Sequence, residues 1–310
     1  MKARYILVAL LAGGLRAAAQ QDTLTLDDLV RQGQQWVQEN VEQDFLRSLP
    51  PLDQDKAQQF LKSLEARFHG EYVIDLAPLR QTAQAVLPLL EASDETAPYA
   101  AWLRSQLDYL EVAEELRLIV PAPKVEPGQP PKRAPNPTPV IERQVWSRHL
   151  AQRPLPQGAN AYVPRLKPIF AAQQIPPELV WLAEVESSFN PRARSPVGAA
   201  GMFQLMPATA KDNGLALRPD DERLEPEKSA KAAAEYLHRL YQRFGDWSLV
   251  LAAYNAGEGR VQNLLDARKT KTFDGIATRL PAETQMYVPR IDATLLRREG
   301  ITLAQLKGRK

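Results

Sequence analysis

Glu186 is the side chain whose surroundings best suit it to acid–base chemistry. It lies in the stretch ELVWLAEVESSFNP, residues 178–191. At about 100° per residue, Leu179, Leu182, Ala183 and Glu186 share one helical stripe, and Trp181, Val180 and Val185 cover most of the remaining circumference. Desolvation in such a stripe disfavours the charged carboxylate and raises its pKa. A carboxyl tuned that way is a general acid near neutral pH. The same pattern also suits a buried, hydrogen-bonded structural carboxylate. Glu184, two residues earlier, points about 160° away, beside Glu178, and is expected to meet water.

The residues that follow add a ligand-like setting. Phe189-Asn190-Pro191 should stop the helix, because Pro191 disfavours helical backbone at Asn190. Ser195-Pro196, Gly198, Ala199-Ala200 and Gly201 then form a loop of small residues that lets a bulky ligand approach the backbone. A helical-looking run with Gln204 and Met206-Pro207 comes next. A deep acid beside small residues and an amide side chain fits a sugar site, where polar groups converge over apolar walls. Met206 reads as a core residue, and Trp181 and Phe189 as packing.

E-S-x-F-N-P-x-A-x-S-P-x-G-A-x-G-x-x-Q-x-M-P-x-T-A, from Glu186 to Ala210, resembles the signature of lytic transglycosylases of the soluble type. Later blocks resemble the D-type membrane-bound members. They are Glu222-Arg223 with Pro226-Glu227-Lys228-Ser229, then Tyr236-Leu237 and Phe244-Gly245-Asp246-Trp247, followed by Ala253-Tyr254-Asn255-Ala256-Gly257-Glu258-Gly259-Arg260-Val261. Leu280-Pro281-x-Glu283-Thr284-x-x-Tyr287-Val288-Pro289-Arg290 completes the series. The resemblance covers about residues 160–295 and says nothing about residues 21–150.

What the resemblance implies is a lysozyme-like catalytic fold. It also implies cleavage of the β-1,4 bond between N-acetylmuramic acid and N-acetylglucosamine in peptidoglycan, giving a 1,6-anhydromuramic end. Glycosidases ordinarily use two carboxylates. No second one is evident here, since Glu184 faces away and Asp246 and Glu258 lie at helix ends. In the implied reaction Glu186 acts alone, first as acid and then as base. By position Ser195 and Gln204 would bind the sugar, Tyr254 and Asn255 would shape the cleft floor, and Tyr287 would orient Glu186. Phe203 stands where many members have Met or Trp and is expected near the cleft. A muramidase on the same fold and a non-catalytic peptidoglycan-binding protein are the alternatives. No cofactor is implied, and with no cysteine and no clustered histidines a metal site is not expected.

The elements that must position these residues read as helices. Leu166, Ile169 and Phe170 form a face before Ile175-Pro176-Pro177 turns toward Glu186. Ala230, Ala233, Ala234, Leu237, Leu240, Tyr241 and Phe244 make a stripe ended by Gly245. Trp247, Val250, Leu251 and Tyr254 continue in the next helix, and Tyr287, Ile291 and Leu295 mark a last one over 283–298. Arg297, Arg298 and the terminal lysines and arginine read as a solvated face and tail. No strand pattern of comparable length appears, so the fold class is mainly α, with a separate helical N-terminal region ahead of the catalytic domain.

The 310 residues, 44% hydrophobic and 25% charged, suit a globular chain, and a net charge of +2 gives no case for nucleic acid. Residues 1–19 read as a signal peptide: Lys2 and Arg4, an apolar run from Tyr5 to Leu11, and Ala17-Ala18-Ala19 before the cut. With no cysteine to lipidate, the expected location is periplasmic or exported, without a stable membrane anchor. Residues 20–118 form a helical region of unknown role, either a bundle of its own or packed onto the catalytic part, and a protein partner for it is left open. Residues 119–140 are a linker, with eight prolines among the nineteen residues from Pro121 to Pro139. Residues 141–310 are the expected transglycosylase domain, with peptidoglycan glycan strands as its partner.

Overall fold

The computed structural model describes residues 54–92, 94–120 and 134–306. The expected signal peptide, the apolar pattern of residues 26–41 and the proline-rich residues 121–133 lie outside that range. Every regular element described is helical, and extended pairing is limited to two isolated bridges, Arg194 with Ala200 and Ala200 with Leu205. None of these helices is long and apolar enough to cross a membrane.

In chain order the helices are α1 (Gln54–Phe68), α2 (Leu79–Glu91), α3 (Ala97–Ile119), α4 (Pro139–Leu150), α5 (Ala159–Ala172) and α6 (Leu182–Ser187). They continue with α7 (Pro207–Asp212), α8 (Pro226–Phe244), α9 (Trp247–Ala256), α10 (Glu258–Arg268), α11 (Phe273–Ile276) and α12 (Ala282–Glu299). Their ends follow local chemistry. Asp246 caps α9 by accepting from the Leu249 amide at 2.9 Å, and Gly245 ends α8 at φ 66°, where a side chain is disfavoured. The stretch read as one helix from Glu178 to Ser187 divides instead: a 3-10 turn over Pro177–Trp181 feeds α6. The tighter winding carries the chain from extended Pro176 into a helix of only six residues.

α12 runs through the centre and packs against α4, α9 and the 3-10 turn before α6. Tyr287, Ile291 and Leu295, the positions picked out by their spacing, are all buried on it. Of the two arrangements open to the N-terminal region, the described helices show packing onto the rest of the chain, within one continuous apolar cluster. Tyr109 of α3 stands edge-on between Phe68 and Trp146, with ring centres 6.1 and 5.4 Å away. Backbone joins add to this. The Ala282 amide donates to the Gly70 carbonyl at 2.7 Å, and Gln285 Nε2 to the Glu71 carbonyl at 2.8 Å. Asn136, just beyond the proline-rich stretch, accepts from the Val73 amide and donates to the carbonyls of Glu71 and Thr278. Each fully buried leucine in this seam, such as Leu61, Leu103 and Leu110, contributes about 1.5–3 kcal/mol.

Candidate active site

α6 ends in two left-handed residues, Ser188 (φ 53°) and Phe189 (φ 61°), whose amides return to the carbonyls of Glu184 and Ala183. That abrupt stop leaves Glu186 in the last turn, half-buried, with Tyr287 Oη donating to its Oε1 at 2.5 Å. Burial pushes the Glu186 carboxyl up to about 8. The Tyr287 hydrogen bond opposes this, the negative charge of Glu283 adds to it, and Arg290 opposes it. Tyr287 itself is held well above its ordinary pKa by burial and by Glu186, and so stays a proton donor.

Glu184 does not meet water. It is buried and takes both Nε and Nη2 of Arg298, at 2.9 and 2.7 Å. Arg298, expected on a solvated face, is equally buried in its side chain and also donates to the carbonyls of Arg153 and Pro154. The reason is that α6 packs against both α3 and α12, and the C-terminal part of α12 brings Arg298 to Glu184. A cavity of about 540 Å³ opens on this far side, lined by Arg153, Glu184, Asn190 and Arg290 but not by Glu186.

The loop after α6 is pegged from beneath by Arg223, which donates to the carbonyls of Gly198 and Leu205 at 2.7 and 2.9 Å and pairs with Asp221. Gly201 is needed there: its φ is +82°, and a Cβ would stand 1.8 Å from the Arg223 carbonyl oxygen. Ser195 closes the turn, with Oγ accepting from the Ala199 amide at 3.0 Å. Gln204, at φ +45°, donates Nε2 to the carbonyls of Gly201 and Ala193, at 2.8 and 3.2 Å. Its Oε1 is buried with no hydrogen-bond partner among the described residues. Two expectations reverse here. Met206 is 42% exposed rather than core, whereas Phe203 is fully buried against Phe170. Trp181 and Phe189 pack edge to face as expected, with ring centres 5.6 Å apart.

Tyr254 and Asn255 end α9 beside this loop. Tyr254 Oη donates to the Phe203 carbonyl at 2.8 Å, and Asn255 Oδ1 accepts from Thr284 at 2.6 Å while its Nδ2 reaches Glu283 at 3.4 Å. Glu283 is a residue the sequence reading passed over, although it stands in the quoted E-T-x-x-Y block, one turn before Tyr287 on α12. Burial raises its pKa, and it in turn helps raise Glu65 of α1 to about 8, where burial is the larger cause. Nothing in the local sequence of Glu65 distinguishes it from an ordinary amphipathic-helix glutamate. One group among the described residues, Asp108, Glu111 and His149, has metal-like spacing, but Arg290 and Arg153 already neutralise Asp108.

Residues 170–276 match the family model described as the transglycosylase SLT domain. The chain is 42% identical over 123 residues to membrane-bound lytic murein transglycosylase D of Escherichia coli strain K12, covering 38% of this chain and 27% of that protein. It is 33% identical over 163 residues to the soluble lytic murein transglycosylase of the same strain, covering 49% and 24%. Membrane-bound lytic murein transglycosylase F of Pasteurella multocida is 30% identical over 230 residues, covering 65% and 40%. A solved structure, the 70 kDa soluble lytic transglycosylase of Escherichia coli, is 18% identical with a TM-score of 0.42, covering 98% of this chain and 50% of that one. The chain spans less than half the length of these curated relatives. Residues 170–276 are thus similar to a transglycosylase SLT domain, and the relatives matched over this part of the chain are lytic murein transglycosylases.

Proposed function

We propose that this chain is a peptidoglycan lytic transglycosylase that works with a single carboxyl group, Glu186. The supporting observation is a carboxyl pushed up to about 8 and bonded at 2.5 Å by a tyrosine that stays protonated. Protonated at neutral pH, Glu186 donates its proton to the glycosidic oxygen as the bond to C1 of N-acetylmuramic acid breaks. The leaving N-acetylglucosamine carries that proton away as a hydroxyl. Positive charge at C1 is shared by the substrate's own acetamido group, and the carboxylate now present on Glu186 accepts the proton of the C6 hydroxyl. The C6 oxygen closes on C1, giving the 1,6-anhydro ring, with no water consumed and Glu186 reprotonated.

Tyr287 steadies the carboxylate between the two proton transfers. Gln204 has its amide nitrogen tied to two carbonyls and so fixes the loop beside the sugar, and a shift of the loop on binding would free its buried Oε1 to accept from an N-acetyl N–H. Ser195 sets the turn that faces the sugar, and Tyr254 and Asn255 hold the floor through Phe203 and Thr284. Action on peptidoglycan places the protein in the periplasm or outside the cell, with glycan strands as its partner.

Glu283 motivates a second reading, a muramidase in which its carboxylate activates water. Burial raises Glu283 toward its neutral form, which serves a water-activating base poorly. Mass spectrometry of purified peptidoglycan digested by the chain and by Glu186→Gln separates the readings. Muropeptides lighter by one water than hydrolysed ones, made only by the unaltered chain, support the single-acid reading. Reducing ends support the muramidase, and no products from either support a binding role.

A further inference from the structure

A buried charge cluster lies below the site and takes no part in the reaction above. Arg290 of α12, 3% exposed, donates Nη1 to the Ser105 carbonyl at 3.0 Å and Nη2 to Asp108 Oδ2 at 2.6 Å. Its guanidinium lies over the rings of Tyr109 and Trp146, 4.6 and 5.2 Å from their centres. Asp108, 5% exposed on α3, also takes both Nη groups of Arg153 and lies 3.7 Å from His149 Nε2, which is equally far from Glu111. Arg290 follows Tyr287 by one turn and Glu283 by two, so its charge bears on the acid from the same helix.

We propose that Asp108, outside the family-matched residues 170–276, is a positioning residue for Glu186: it anchors the Arg290 guanidinium and offsets its charge, so that the acid keeps its proton. The inference rests on the reading of Glu186 as the proton donor. A guanidinium paired with a carboxylate acts on a third group as a dipole, whose effect falls faster with distance than that of a lone charge. Without the Asp108 carboxylate, the full positive charge of Arg290 favours ionised Glu186. The other groups bearing on Glu186 are Tyr287, Glu283, Tyr254 and Tyr109, and Arg290 is further influenced by Glu184. Asp108→Asn leaves all of these in place. Arg153, freed of its partner by the same change, adds positive charge and acts in the same direction.

The test reads Glu186 directly, without substrate. Glutamate labelled with 13C at the side-chain carboxyl is introduced into the full chain, and the Glu186 signal is assigned by its loss in Glu186→Gln. Asp108→Asn is expected to lower the Glu186 midpoint by about half a pH unit or more, and Asp108→Glu to restore it. An unchanged midpoint in folded Asp108→Asn overturns the proposal. If circular dichroism shows that Asp108→Asn does not fold, Arg290→Met is compared with the double variant Asp108→Asn/Arg290→Met, since these two differ only in the Asp108 charge. A double-variant midpoint below that of Arg290→Met then supports the proposal, and an equal one overturns it. Failure to make anhydro products would count against the functional reading and leaves this midpoint comparison intact.

Discussion

Tyr287 Oη and Glu186 Oε1 meet at 2.5 Å although 101 positions separate them in the chain. The contact sets two opposing influences against each other on one carboxyl. Burial holds the proton on Glu186, and the tyrosine hydroxyl favours releasing it. A group that must first give a proton and then take one back needs both, because a carboxyl without the donor would resist ionisation and one without burial would be ionised from the start.

Tyr287→Phe tests that balance. A hydrogen bond to a charged group is worth about 1.5–3 kcal/mol, so the rate of anhydro-muropeptide release should fall by about 10–100-fold. The pH profile gives the sign. Glu186 must be protonated to begin, so activity of the unaltered chain should decline on the alkaline side as the pH passes about 8. Tyr287 lowers the Glu186 pKa, so the phenylalanine variant should keep its lower activity to higher pH. An alkaline limb that moves down, or does not move, would count against a Tyr287 role in steadying the carboxylate.

Gly201→Ala should damage the site from a distance. The new Cβ would meet the Arg223 carbonyl oxygen at 1.8 Å in a backbone conformation, φ +82°, that alanine disfavours. The loop has to shift, with Gln204 and the Arg223 hydrogen bonds moving alongside it. Thermal unfolding should show a loss of about 2–4 kcal/mol, since a backbone clash adds to the strain. Product release should fall further than the loss of folded protein explains. A variant with unchanged melting temperature would show that the loop relaxes without cost.

The burial of the helix around Glu186 was legible in its apolar spacing, whereas the pairing of Glu186 with Tyr287 was implied only by the family resemblance of the block that holds Tyr287. Met206 was read as core within a run that looked helical but forms a turn, and Phe203 was placed near the cleft by its position in the resembled block, whereas its ring is buried. The bridges of Ala200 and the left-handed Gln204 reset which side chains face inward. Glu184 was read as solvated because it points away from the Glu186 stripe, beside Glu178. Its partner Arg298 is 114 positions away and is brought under α6 only by the path of α12. The docking of α3 was hidden for the same reason, since Arg290 and Asp108 are 182 positions apart and periodicity within one helix says nothing of its neighbour.

Arg298→Met should therefore be among the more destabilising single changes near the site. It leaves Glu184 buried without its bidentate partner, and breaking a buried pair from one side costs about 3–5 kcal/mol. Glu184→Met combined with Arg298→Met should recover much of that loss, because neither charge is then left unpaired. Chemical denaturation of the two variants against the unaltered chain provides the comparison. A double variant no more stable than the single one would mean that Arg298 acts chiefly through the carbonyls of Arg153 and Pro154.

Glu142 on α4 makes the opposite case, a buried carboxyl whose removal should stabilise the protein. It is 1% exposed, both its oxygens lack a hydrogen-bond partner among the described residues, and burial raises its pKa well above the ordinary glutamate value. Arg143 works against that rise but does not cancel it. A carboxyl with a raised folded-state pKa favours the fold fully at pH values below the ordinary glutamate range. That advantage is lost as the pH rises through and above this range, because the unfolded chain ionises first. Glu142→Met fills similar space without a group to desolvate. It should raise stability by about 1–3 kcal/mol at neutral pH and by less in mild acid, where the unaltered carboxyl is protonated in both states. Melting curves at the two pH values, with and without the substitution, test this. A gain as large in acid as at neutral pH would assign the effect to packing alone, and a loss at both would mean that Glu142 has a partner its burial conceals.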